Sequence, residues 1–167
     1  MALSNDLLEQ ALHLATRESK RPRQASLRRA ISSAYYGLFH LLIGEATRVL
    51  APAQPAALRI QLRRAFDHGA MKTVCRQFSA RKPAASTAAL LAAPIEDELV
   101  VVARTFVVLQ EERHLADYDT GTIFFRAGVE QSVGDVREAF GKWAVVRPRP
   151  NATVFLAALL HQRNWDK

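Results

Sequence analysis

Apolar positions recur at spacings of four and three through Leu27–Leu50, LRRAISSAYYGLFHLLIGEATRVL, where Leu27, Ile31, Ala34, Leu38, Leu41 and Glu45 share one face of an α-helix. Ala30, Tyr35 and Leu42 widen that face into a broad stripe, which places the helix in a core rather than on a rim. Pro52 ends it, because proline lacks an N–H and disfavours helical geometry in the residue before it. Two dozen residues at ~1.5 Å each make a rod of roughly 36 Å, around which the other helices are expected to pack.

Upstream, Leu7, Ala11 and Leu14 predict a first helix capped by Ser4 or Asn5 and running to about Arg17. Downstream, Leu58, Leu62 and Ala65/Phe66 predict a short amphipathic helix, and Asp67 can cap a further one opening at His68–Gly69. Pro83 and Pro94 bracket a small-residue stretch that reads as a loop or a loose helical turn. Pro94 suits a first helical position, with Glu96, Asp97 and Glu98 placed where negative charge favours a helix N-terminus. The valine runs that follow would also suit a buried strand. Leu99, Val102, Phe106, Leu109, Arg113 and Ala116 keep helical spacing, however, and no strand partner is evident, so a helix is predicted as far as Asp119-Thr-Gly121. Val129, Val133, Val136, Phe140 and Trp143 form a regular ladder predicting a helix over 128–146; RPRP breaks it, and Asn151 can cap a last helix over 153–162. The fold class expected is all-α, an up-and-down bundle of about five to six helices.

Composition narrows the class. Of 167 residues 49% are apolar, enough for a core, and one cysteine excludes an internal disulfide. No long uncharged apolar run suggests a membrane span, and Asp6 and Glu9 argue against a signal peptide, so a cytoplasmic location is expected. Net charge is +7 and uneven: residues 1–93 hold 14 Lys/Arg against 5 Asp/Glu, residues 94–167 hold 9 against 11. The basic half attracts phosphate polyanions through Arg21, Arg23, Arg28, Arg29, Arg59, Arg63 and Arg64, or it is an ordinary solvated surface. Arg28 and Arg29 in a first helical turn oppose the helix dipole, which suggests an external anion or a tolerated local penalty. Glycine-rich phosphate loops, HExxH and GxSxG are absent, and the five histidines are scattered. Neither a metal nor a cofactor is expected.

Three stretches then fall in order: Tyr35-Tyr36-Gly37-Leu38-Phe39-His40, Asp67-His68-Gly69, and Arg113-His114-Leu115-Ala116-Asp117-Tyr118-Asp119. Together they resemble the small bacterial branch of the HEPN superfamily, with its YYxxFH helix, its histidine opening a later helix and its RxxADYD helix end. The resemblance covers about residues 8–146 and implies a HEPN-like domain over 1–147, with 148–167 a helical extension packed on it. It further implies a homodimer with the motif residues near the dimer groove. Relatives include RNA-cleaving toxins and partners of small nucleotidyltransferases, while others only bind. Carried over residue by residue, the nucleotide- or RNA-binding candidates are Arg113, Asp117, Tyr118, His68, Tyr36 and His40.

Nuclease relatives use Arg-x4-6-His, but here the fifth residue after Arg113 is Tyr118. The Arg63–His68 string precedes the motif helix and spans a predicted helix break, which makes it a coincidence. The expected function is therefore a non-catalytic or degenerate HEPN-like protein that binds nucleotide or RNA and acts with a nucleotidyltransferase or toxin–antitoxin partner. The alternatives are a metal-independent endoribonuclease using His68, His40 or Tyr118, and a dimerisation module without ligand. A purely structural role stays open beside these, since Arg113 and Asp117 stand i, i+4 and can simply pair.

Overall fold

The computed structural model describes residues 3–165, with side chains described through His161. It is all-α. Eight helices occur among the described residues: α1 (Leu3–Thr16), α2 (Gln24–Leu50), α3 (Ala56–Arg64), α4 (His68–Ser79), α5 (Ala85–Ala88), α6 (Asp97–Tyr118), α7 (Arg126–Val146) and α8 (Pro150–Trp165). The count exceeds the five to six expected, and residues 56–88 carry three short helices where the pattern predicts two followed by a loop or loose helical turn. The Val-rich segment is helical, as its spacing predicts, and its valine runs do not divert it to a strand.

The chain divides into two compact units. The first holds residues 1–40 and 105–141; the second holds 41–104 and 142–167, so that α2, α6 and α7 contribute to both and α8 belongs to the second.

In the first unit, Ala30 to Tyr35 are buried without interruption, so this part of α2 offers little of any residue to solvent. Ser32 and Ser33 are enclosed too, and a buried hydroxyl needs a partner. Ser33 Oγ donates to Gln10 Oε1 on α1 at 3.0 Å. Gly37 explains how α1 lies so close: a Cβ there would stand 3.3 Å from the Ser4 carbonyl oxygen and 3.5 Å from the Leu8 nitrogen. Ser4 itself is buried inside α1 and does not cap it, because the helix already includes Leu3.

In the second unit, α4 packs on α8, with the Phe78 and Phe155 rings edge to face at 4.9 Å. Asp67 caps α4 as expected, its carboxylate accepting from the Ala70 N–H at 2.9 Å. Cys75, on the buried side of α4, is fully enclosed, and burial pushes its thiol pKa well up, which leaves it inert. Beyond α4, Arg81 adopts φ 55°, a left-handed position, while the Lys82 N–H reaches back to the Gln77 carbonyl at 2.8 Å. Its guanidinium holds that turn by donating to the Ile95 carbonyl and Asp97.

Two caps differ from expectation. Pro150 already opens α8, so Asn151 lies one residue inside the helix, 1% exposed. Its amide works as a tertiary clamp, accepting from the Ala92 N–H at 3.0 Å and donating to the Ala93 and Pro94 carbonyls at 3.0 and 3.3 Å. Pro94 is therefore not the first residue of α6. Glu96 stands at that helix's N-cap, its carbonyl accepting from the Val100 N–H.

Candidate functional site

The end of α6 is built by arginines that reach across the first unit. Arg28 on α2 donates through Nη1 to the Leu115 and Ala116 carbonyls at 3.3 and 2.9 Å, and through Nη2 to those of Asp119 and Thr122 at 2.9 and 2.5 Å. Helix C-terminal carbonyls lack intrahelical donors, and a planar guanidinium serves several at once. Asp119 closes the turn, accepting from the Gly121 N–H at 2.9 Å and the Thr122 hydroxyl at 2.6 Å. Those two bonds hold its carboxyl below the usual range. Arg28 thus serves the fold, which overturns the reading that it awaits an external anion. Nor does it oppose the dipole as expected, since α2 begins at Gln24 and places Arg28 beyond the first turn.

One turn before that end, Arg113 is buried beside the aromatic pair of α2. Its guanidinium carbon lies 5.2 Å from the centroid of Tyr35 and 5.9 Å from that of Tyr36, while Nη1 pairs with Asp117 Oδ2 at 3.4 Å. Asp117 is fixed in turn by the Ser32 hydroxyl, donating to Oδ1 at 2.5 Å. Burial works against the Arg113 charge, but Tyr36, Tyr35 and Asp117 outweigh it and raise its pKa above the ordinary arginine value. Arg113 Nε is buried without a hydrogen-bond partner. The Arg113 side chain is 10% exposed and that of Asp117 22%, so this pair faces inward more than outward.

Beside the Ser32 end of this cluster, α1 and α2 enclose a groove of ≈550 Å³. One wall is apolar, from Leu3, Leu7 and Leu14; the other carries Arg29, Ser32, Ser33, Tyr36 and His40, with Gln10 between. Tyr36 and His40 lie one turn apart with ring centroids at 6.3 Å and planes 32° apart. A flat or apolar group fits the leucine wall, and an anion fits Arg29, which is exposed.

The structure brings together Arg113, Asp117 and Tyr36, and it places His40 in the groove that Tyr36 lines. Tyr118 is 68% exposed, its ring 5.2 Å from that of His114, and does not line the groove. His68 is the first residue of α4 in the second unit. The break between Arg63 and His68 is real: α3 ends at Arg64 and Asp67 is extended. The basic positions divide likewise, with Arg21, Arg23, Arg28 and Arg29 in the first unit and Arg59, Arg63 and Arg64, all exposed, in the second. Among the described residues no group of three or more His, Cys, Asp or Glu could hold a metal ion.

Gln10, Ser32 and Ser33 were missed by sequence reasoning. The signal was present: two adjacent hydroxyls in the chain's central apolar helix demand polar partners.

Across α6 and α7, Glu112 Oε2 is buried without a hydrogen-bond partner. Burial pushes the Glu112 pKa up; a Ser132 hydrogen bond lowers it and the Asp135 charge adds to the rise. A raised carboxyl pKa penalises the folded state once pH exceeds the unfolded value, and the penalty is complete above the folded one. Glu112→Gln is therefore expected to raise Tm at pH 7.5 by about 1–2 °C, and to bring no gain below about pH 4. Thermal melts of both proteins across that range check this.

No family model matches the chain, and comparisons with curated proteins and with solved structures also find no match.

Proposed function

We propose that this chain is a HEPN-like, non-catalytic protein that binds a nucleotide or single-stranded RNA in the α1–α2 groove. The observation that carries this is the convergence of Tyr36, His40 and Arg29 on one polar wall opposite leucines. A base lies against the rings and leucines while Arg29 meets a phosphate. Arg113 acts from beneath, fixing Tyr36 through its ring face and Asp117 through the ion pair. Tyr118 stands where nuclease relatives of the resembled family place histidine, and its exposed ring lies outside the groove, away from any RNA held there.

On this proposal the protein works as a homodimer with a nucleotidyltransferase or toxin–antitoxin partner. Val108, Leu115 and Tyr118 support the dimer: they are 43%, 41% and 68% exposed and follow one face of α6 at spacings of seven and three. A monomeric mass by light scattering at tens of micromolar would count against it.

A labelled 12-residue oligouridylate is expected to bind at low salt, with log K falling against log salt by about 0.7 per phosphate contacted. Fluorescence anisotropy between 50 and 300 mM salt reads the slope. Salt-independent binding, or none at 50 mM, refutes the proposal. Incubation of the same RNA with the protein in chelator is expected to leave it intact; cleavage there would instead support the ribonuclease.

A further inference from the structure

The seven-residue link between α6 and α7 carries the most exposed apolar side chains of the first unit outside α6, on a backbone that is held in place. Phe125 is 74% exposed and Ile123 65%, while Phe124 between them is half-buried. The Arg28 guanidinium lies 5.4 Å from the Phe124 ring centroid and donates to the Asp119 and Thr122 carbonyls. The Gln24 side chain grips the Phe124 backbone twice, donating to its carbonyl at 2.8 Å and accepting from its N–H at 2.9 Å. Ile123 and Phe125 are therefore presented to solvent by a rigid mount.

Phe125 also occupies an expensive position. Its carbonyl accepts from the Val129 N–H, which makes it the N-cap of α7. A Ser, Thr, Asp or Asn there would satisfy an orphan amide that an apolar residue leaves without a side-chain partner. Neither burial nor capping explains an aromatic ring at this place.

The neighbouring surface supplies a charge. Arg126 donates to the Glu18 and Ser19 carbonyls, and Gln24 follows directly on the same link, so residues 18–24 abut 124–126. That link exposes Lys20, Arg21 and Arg23. Its one acid, Glu18, is spent on the Ser26 hydroxyl at 2.8 Å and the Arg23 N–H at 3.4 Å.

We propose that Ile123 and Phe125, flanked by Lys20, Arg21 and Arg23, form a docking platform for an acidic protein segment bearing large apolar side chains. Apolar anchors on a pre-set backbone gain affinity because little freedom is lost on binding, and the basic rim selects acidic partners and speeds their approach. A protein is favoured over RNA because Ile123 offers no π-face for a base to stack on. The inference stands apart from the groove, none of whose residues it uses.

The test uses the full chain and three probes in anisotropy at 50 mM salt. One is a 14-residue peptide alternating Asp or Glu with Leu or Phe. The second replaces its apolar residues with serine, and the third is the 12-residue oligouridylate. The first peptide is expected to bind and the serine peptide to bind at least tenfold more weakly. Ile123→Ser with Phe125→Ser, and separately Lys20→Glu with Arg21→Glu, should each weaken the first peptide at least tenfold without lowering Tm. Should the double serine variant melt early, Phe125→Ala carries the comparison. Absence of peptide binding, or equal binding by the variants, overturns the proposal. So does loss of RNA binding alone in Phe125→Ala, which makes the ring a stacking platform. A fall in molar mass in that variant, which makes it a self-interface, also overturns it.

Discussion

Arg28→Ala is expected to lower Tm by about 5–12 °C, the largest effect of any surface-reaching residue in the first unit. The guanidinium serves four carbonyls at the end of α6 and in the following turn, and covers the Phe124 ring. Hydrogen bonds to a charged group contribute about 1.5–3 kcal/mol each in favourable cases, and water replaces part of what is lost at a half-exposed site. A net cost of about 2–4 kcal/mol corresponds to that shift in a domain of this size. Arg28→Lys should recover less than half, because an ammonium cannot span both pairs of carbonyls. Arg29→Ala, one residue on but exposed, should stay within about 1 °C of wild type. Thermal melts by circular dichroism compare the three.

The second large effect concerns Arg113. Its removal strands Asp117 with only the Ser32 hydroxyl, and takes away the cation that lies against the Tyr35 and Tyr36 rings. Breaking a fully buried ion pair costs about 3–5 kcal/mol. Here the pair retains some exposure, and Arg113→Ala is expected to cost about 1.5–3 kcal/mol, or roughly 4–10 °C in Tm. Asp117→Asn keeps the Ser32 contact and should cost less. If Arg113 positions Tyr36, then Arg113→Ala also weakens oligouridylate binding at a temperature well below its own Tm. A lowered Tm with unchanged affinity would confine Arg113 to the fold.

Helical spacing made most of the fold legible. Leu27, Ile31, Ala34 and Leu38 are each no more than 1% exposed, as the four-and-three pattern requires. Past Leu38 the buried positions shift to Leu42 and Ala46, while Leu41 and Glu45 are only half-buried. The reason is that 3.6 residues per turn drifts against a fixed four-three step. Helix ends were less legible, because side-chain capping chemistry is local while the Asn151 amide is committed to Ala92, Ala93 and Pro94, distant in sequence, and Ser4 lies inside a helix that starts before it. The same limit applied to the site. Arg113 and Asp117 could be paired from their spacing, but Arg28 meets carbonyls some ninety residues away, and no local pattern announces that. Ser32 was the readable clue to Asp117, since a buried hydroxyl must find an acceptor.

Backbone amide shifts during titration of the isotope-labelled chain with the 12-residue oligouridylate test the groove most directly. The account predicts the largest shifts on α2 between Arg29 and His40 and on α1 between Leu3 and Leu14, and their loss in Arg29→Glu with Tm unchanged. Shifts confined to α3 around Arg59–Arg64, or undiminished shifts at the groove in Arg29→Glu, would contradict it.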